Sequence, residues 1–233
     1  MFIYHENVKK NQEGTVNSFV GGIPKLPLSI RLPITKETNT QMTFYFQYEF
    51  SVNHIYYGYV ISVFASTDFA HDDYTIPEML DGELKGVDIP KGFLDTYQRY
   101  FKVFVYKNED YPLRNDYQPV LNFYPLKSSD DEPPIDAEYR IFGKTDSNPS
   151  WLLDDESPAT YDKSSEMSFL LQVCEGYEFE KLSTSPRQKV PCGEFGEKLC
   201  DSFGDEYELF NSNEIYFFGT DDERKKIYII TQC

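Results

Sequence analysis

The feature that most limits how this chain can fold is an internal echo. Met42-Thr43-Phe44-Tyr45-Phe46-Gln47 returns as Met167-Ser168-Phe169-Leu170-Leu171-Gln172, each reading Met, small hydroxyl, Phe, two bulky residues, Gln. A repeated unit with one apolar face must bury that face against its copy, so a repeat speaks to architecture before any single motif does. A Gly- and Pro-bearing segment precedes each copy: Phe19-Val20-Gly21-Gly22-Ile23-Pro24 in one, Ile141-Phe142-Gly143 with Pro149 in the other. A turn and an apolar run follow each, at 57–64 and 213–219, and then a closing run at 100–106 and 226–231. These runs are aromatic or β-branched and of strand length.

The expected fold is therefore α+β but predominantly β: two pseudo-symmetric antiparallel sheet halves packed as one body, with few short helices. The first half is expected over 1–126 and the second over 135–233. Residues 127–134 (Lys-Ser-Ser-Asp-Asp-Glu-Pro-Pro) have the composition of an exposed connection. Short helices are expected at 76–80 and 90–100, each opened by a proline, and at 194–202, although Gly92 and Gly196 weaken the last two. With 19 Tyr and 19 Phe in 233 residues there is ample apolar material for a core of this size.

The formal net charge of −17 opposes binding to phosphate backbones and anionic lipid, because no Lys/Arg stripe is available for counterion release. Such acidity reads either as solubility or as a field that steers a basic partner. No nucleic acid and no membrane are expected as partners. The first ten residues lack the apolar stretch of a signal peptide, and no segment reaches the roughly 18 apolar residues of a membrane span, so a cytoplasmic protein is expected. Cys174, Cys192, Cys200 and Cys233 form no C-x-x-C pair, and their irregular spacing reads as reduced thiols, some of them buried.

The catalytic inventory is thin. There are three histidines, His5, His54 and His71, where a triad or metal site normally recruits several. His71-Asp72-Asp73 reads as a charged loop more readily than as an acid–base cluster, and His54 as a turn residue. Nucleophile elbows, zinc-protease motifs and phosphate-cradling loops are absent, and Gly21-Gly22 serves a tight turn. Asp154-Asp155-Glu156 could suggest paired carboxylates, but adjacent acids alternate sides in an extended chain and do not hold a fixed separation. Neither an enzyme nor a cofactor or metal is expected. Recognition is the better use for these acids, since carboxylates pair bidentately with arginine.

Acids concentrate at 130–162 and 194–223, interleaved with Trp151, Tyr161, Phe195, Phe203, Tyr207 and Phe210. Aromatic anchors ringed by charge are what interface hot spots look like. The residues expected to contact a partner are Trp151, Asp154, Asp155, Glu156, Tyr161, Asp130 and Asp131.

Taken together, Gly21-Gly22-Ile23-Pro24, the strand ending in Gln47, Phe169-Leu170-Leu171-Gln172, Phe217-Phe218 and the terminal run 226–233 resemble, in order and spacing, the bacterial YwqG-like family. The resemblance covers almost the whole chain. It departs at Leu26-Pro27 or Leu32-Pro33, where the family has Trp-Pro, and at Asn213-Glu214, where it has Gly-Asp. Members lie beside polymorphic toxins, including those delivered by type VI secretion. What the resemblance implies is an immunity protein that neutralises a cognate toxin by steric occlusion. The alternative is a small-ligand or peptide-binding module that uses a cleft between the halves.

Overall fold

The structure, a computed structural model, describes residues 1–70, 76–82, 84–134, 138–146, 148–193 and 198–233. His71-Asp72-Asp73 and Phe195 lie outside the described residues. Strands dominate. In chain order they begin with β1 (Phe2–Glu6), β2 (Phe19–Val20), β3 (Ile34–Thr35), β4 (Thr40–Gln41), β5 (Thr43–Glu49), β6 (Tyr59–Ala65) and β7 (Asp88–Ile89). Next come β8 (Phe101–Lys107), β9 (Tyr124–Pro125), β10 (Lys127–Ser129), β11 (Tyr139–Lys144), β12 (Thr160–Tyr161) and β13 (Ser165–Val173). The last are β14 (Glu178–Glu180), β15 (Lys189–Cys192), β16 (Lys198–Asp201), β17 (Glu206–Glu208), β18 (Glu214–Thr220) and β19 (Ile227–Gln232).

The first sheet runs β8-β6-β5-β2-β9. In the second, β10-β1-β11-β13 continues through β18 to β19, and β12 links the start of β13 to β7 by the one parallel pairing among the described residues. β1 thus sits between β10 and β11, and segment 127–134 contributes a strand instead of only connecting.

Alternation along β6 shows how the layers pack. Ile61, Val63 and Ala65 enter a core shared with the second sheet, whereas Val60 and Phe64 enter a separate cluster on the other face. Phe46 meets Phe142 at 5.0 Å and Phe217 at 5.8 Å, edge-on, across the space between the sheets. The far cluster, which includes Phe19, Leu26, Met42, Phe44 and Tyr117, lies under loop segments. A strand covered on both faces has no wet side, which is why β5 and β6 carry apolar side chains on both faces, with Thr43, Gln47 and Ser62 as buried polar exceptions.

Both echoed strands carry a register shift at the same step, between Phe44 and Phe46 in β5 and between Phe169 and Leu171 in β13. The extra residue frees a carbonyl from the ladder. That of Tyr45 accepts the Gly21 amide at 2.8 Å. Gly21 has φ +60°, and a Cβ there would lie 2.1 Å from the Asn122 carbonyl oxygen, so glycine is required. Both terminal glutamines fasten a loop to the sheet. Gln47 accepts from the Lys25 amide and donates to the Asn17 carbonyl, while Gln172 accepts from the Ser150 amide and donates to Glu214.

Two expectations need correction. Among the described residues the expected helices do not form, and 194–197 lie outside them: 76–80 carries no helix, and 90–100 is a series of turns, with Phe93 bonding back to Pro90 and Asp95 to Gly92, whose φ of +88° breaks any helical run. Residues 198–201 of the third expected helix are β16, paired with β15, and the described helix is one 3₁₀ turn at Phe210–Ser212. Nor are all four thiols reduced. Cys192 and Cys200 form a disulfide across the β15–β16 hairpin, leaving Cys174 half-buried and Cys233 exposed. Linear spacing gave no sign of this, because cross-strand register brings the two sulfurs together.

Candidate functional site: an outward-facing loop beside an acidic cleft

The connection between β5 and β6, residues 51–58, is pinned to the second sheet by two inward side chains. His54 stacks on Phe50, centroids 4.4 Å apart. Its Nδ1 accepts the Tyr56 amide at 3.0 Å, which leaves Nε2 to donate to the Leu170 carbonyl at 3.1 Å; this assigns the tautomer from the hydrogen-bond network. Leu170 is the shifted residue of β13, so its carbonyl has left the ladder. The Thr145 hydroxyl supplies a second donor at 2.9 Å. Burial lowers the His54 pKa to about 4, against the pull of the Leu170 carbonyl, so the ring is neutral at pH 7.

Tyr56 is the second anchor. Its ring is fully buried and its hydroxyl donates to the Thr220 carbonyl at 2.6 Å, while the Lys225 ammonium sits 4.5 Å from the ring centroid. Gly219 permits this approach, since a Cβ there would fall 2.3 Å from the Tyr56 oxygen.

With His54 and Tyr56 turned in, Ile55 between them and Val52 and Tyr57 on either side turn out. Val52, Ile55 and Tyr57 are 68%, 54% and 61% exposed, which is unusual for neighbouring apolar residues on a short loop. Beside them opens a cleft of about 620 Å³ floored by Phe169 and Ser168 and flanked by Asp130 and Asp146. The residues come from both ends of the chain, so the loop and the second sheet jointly shape it. Met1 pairs with Asp146 at 3.5 Å. Chemically, the surface offers apolar contacts beside two carboxylates, one of them paired with the terminal ammonium. Among the described residues no group of three or more His, Cys, Asp or Glu side chains is placed to hold a metal ion.

The residues expected to meet a partner divide between two places. Asp130 borders the cleft, and Asp131 is exposed next to it in sequence. Trp151 to Glu156 instead form a strap over the outer face of the second sheet. Trp151 is half-buried on Tyr216 (4.4 Å) and Phe218 (6.0 Å). The strap is tied down by Gln232, which donates to the Asp154 carbonyl and to Glu156 and accepts the Leu153 amide. Asp155 accepts from Ser157 and pairs with Lys85 at 3.0 Å, and these contacts hold its carboxyl below the usual range. Tyr161 is buried, with the Arg224 guanidinium 5.2 Å above its ring.

Of the other aromatics in these acidic stretches, Tyr207 and Phe210 are core, whereas Phe203 is 99% exposed. Sequence reasoning missed Val52, Ile55 and Tyr57, and also the exposed Leu152 and Leu153 of the strap. Alternation of apolar and polar residues is a strand signal, and in a loop it carries no meaning until the anchors are known. No helix among the described residues is long and apolar enough to cross a membrane. Compared with known proteins, the chain matches no family model, no curated protein and no solved structure.

Proposed function

We propose that this chain is a non-catalytic immunity protein that docks onto a cognate toxin or effector and blocks it sterically. The observation that carries this reading is the loop at 51–58, where the half-buried His54 and the buried Tyr56 hold Val52, Ile55 and Tyr57 outward beside a cleft bordered by Asp130 and Asp146. An apolar anchor fixed before binding loses little conformational freedom on binding, so more of its contact energy appears as affinity. Acids around it favour a basic partner and speed its approach, and the net charge of −17 acts in the same sense. The YwqG-like motifs supply the toxin context.

The reading has two further parts. A shared origin for the halves is supported by the matching register shifts in β5 and β13 and by the common loop-fastening role of Gln47 and Gln172. A cytoplasmic site of action belongs to the same proposed reading. The Cys192–Cys200 bond sits against that placement, since disulfides persist best in oxidising compartments.

Co-expression with the product of the adjacent gene tests the proposal. Wild type should co-purify with that product and restore growth. Val52→Asp with Ile55→Asp should abolish both while leaving the thermal transition within a few degrees, because both side chains are already in water. A wild-type chain that neither binds nor rescues, or a double variant that rescues fully, would sink the idea. The second reading, a small-ligand module, is favoured by one observation, the cleft lined from both halves. A reproducible mass adduct under native conditions, lost on Phe169→Trp, would support it instead.

A further inference from the structure

The two sheets treat their edges differently. In the second sheet the edge strand β19 is closed at its centre, where the Tyr97 hydroxyl accepts the Ile229 amide and donates to the Ile229 carbonyl, both at 3.0 Å. In the first sheet the edge strand β8 is seven residues long. Its parity is fixed by the bonds that flank it, Ser66 amide to Tyr100 carbonyl and Asn108 amide to Gly58 carbonyl. The even residues therefore bond to β6, and Phe101, Val103, Val105 and Lys107 turn their amides and carbonyls outward. The Gln98 side chain takes the Val103 amide. Among the described residues nothing takes the amide or the carbonyl of Val105.

We propose that β8 is a pairing edge for a second copy of this chain, β8 against β8, antiparallel about a two-fold axis at Val105. An extended strand is the partner that outward amides and carbonyls select, because it alone satisfies both in register. Three features of the pairing that this register would make favour the same strand of another copy. First, Val105 faces Val105 of the second copy as a hydrogen-bonded pair that exchanges two bonds, which only an odd-with-odd register allows.

Second, the even face sets the half-buried Phe104 opposite the second copy's Tyr106, an aromatic pair that repeats by symmetry. Third, the charges match. Residues 101–107 hold two lysines and no acid in a chain of net charge −17. This register puts Lys102 opposite the second copy's Asn108, beside its Glu109 and Asp110, and Lys107 opposite Val103, so no like charges oppose. Asp110 is almost fully exposed, with Lys25 at 3.6 Å. An isologous contact repeats each pair twice. Lys102, whose ammonium donates to the Gln98 carbonyl within its own chain, gains the second copy's two acids only in this register.

The result is a continuous ten-stranded sheet, with the loop at 51–58 left to its own partner. Such an edge-to-edge contact buries less than a standard interface, so the dimer is concentration-dependent. Sedimentation velocity of the full chain at ~0.15 M salt, where charges beyond ~8 Å are screened, tests it. The average mass should climb from 27.3 kDa toward twice that as concentration rises.

Val105→Pro removes an amide that no internal bond uses, a change tolerated on an edge strand, and should hold the mass at the monomer value. Lys102→Glu should weaken pairing at least tenfold, and adding Glu109→Lys with Asp110→Lys should restore it. If Val105→Pro fails to fold by circular dichroism, the charge reversal and its rescue decide. A constant monomer mass, or a dimer indifferent to both Val105→Pro and Lys102→Glu, overturns the proposal.

Discussion

Acidification tests how firmly the outward loop is held. His54 is neutral in the folded chain because burial strips water from its cation, and its pKa drops from 6.5 to about 4. In the unfolded chain the ring titrates at its ordinary value, so as pH falls the unfolded state takes up the proton first. The stability that the neutral ring supports is therefore whole above pH 6.5, and is lost as pH falls from 6.5 toward 4. At 1.36 kcal/mol per pH unit the loss is bounded by about 3 kcal/mol, and screening of a ring that is only half-buried trims it to about 2 kcal/mol. His5, buried and desolvated beside Arg140, shifts in the same direction. Carboxylates act in a lower window: Glu6, held at about 2 by Lys10 and Lys127, gives up its contribution only below its ordinary 4.5.

Shrinking net charge works against the loss, since self-repulsion fades toward the pI near 4.5. His54→Gln separates these effects. It leaves every carboxylate in place, offers an amide to the Leu170 carbonyl, and cannot titrate. Urea unfolding of both chains from pH 7.5 to 4.5, followed by Trp151 fluorescence with constant m-values, gives the difference directly. Wild type should lose about 2 kcal/mol more than His54→Gln over this range. Curves that stay parallel within about 0.5 kcal/mol would refute the neutral buried ring and with it the anchoring of the loop.

Gly219→Ala should destabilise by about 1–3 kcal/mol, because its methyl collides with the Tyr56 oxygen and with Leu170; Tyr56→Phe added to it should recover part of that in a double-mutant cycle. Tyr97→Phe should cost about 1–3 kcal/mol in denaturant titration by leaving the Ile229 amide and carbonyl unpaired in a buried place. Reduction of Cys192–Cys200 releases a loop constraint of about 2.5 kcal/mol. It should deprotect amides of β15 and β16 in hydrogen exchange while β18 and β19 stay protected. Binding to a basic partner should weaken by about tenfold between 0.05 and 0.5 M salt if the acids beside the cleft contribute as argued, and calorimetry reads that slope.

The strands were legible where both faces are covered. Runs rich in aromatic and β-branched residues at 57–64, 100–106, 213–219 and 226–231 correspond to β6, β8, β18 and β19; burial on both faces favours that class in β6, β18 and β19, while β8 keeps Lys102 and Lys107 at the sheet edge. Gly21 was readable as a turn, though not as the partner of the Tyr45 carbonyl, since a register shift depends on which strand lies alongside. The cysteine pair was invisible for a similar reason. Acid and aromatic content drew attention to Trp151 and Tyr161, but content does not say which side of a segment faces the core. Trp151 lies on Tyr216, and the exposed apolar residues are its neighbours Leu152 and Leu153. Val52, Ile55 and Tyr57 escaped notice because their exposure is set from a distance, by a carbonyl of Leu170 and one of Thr220 far along the chain.

Tyr97 has a wider effect than the two bonds it makes. A phenol sealed against the middle of β19 means that any wandering segment seeking to extend that sheet must first evict a buried aromatic ring. The β19 flank of the molecule is thereby sterile, so a body that pairs through β8 as proposed, edge to like edge, closes on itself at two copies, short of a fibre.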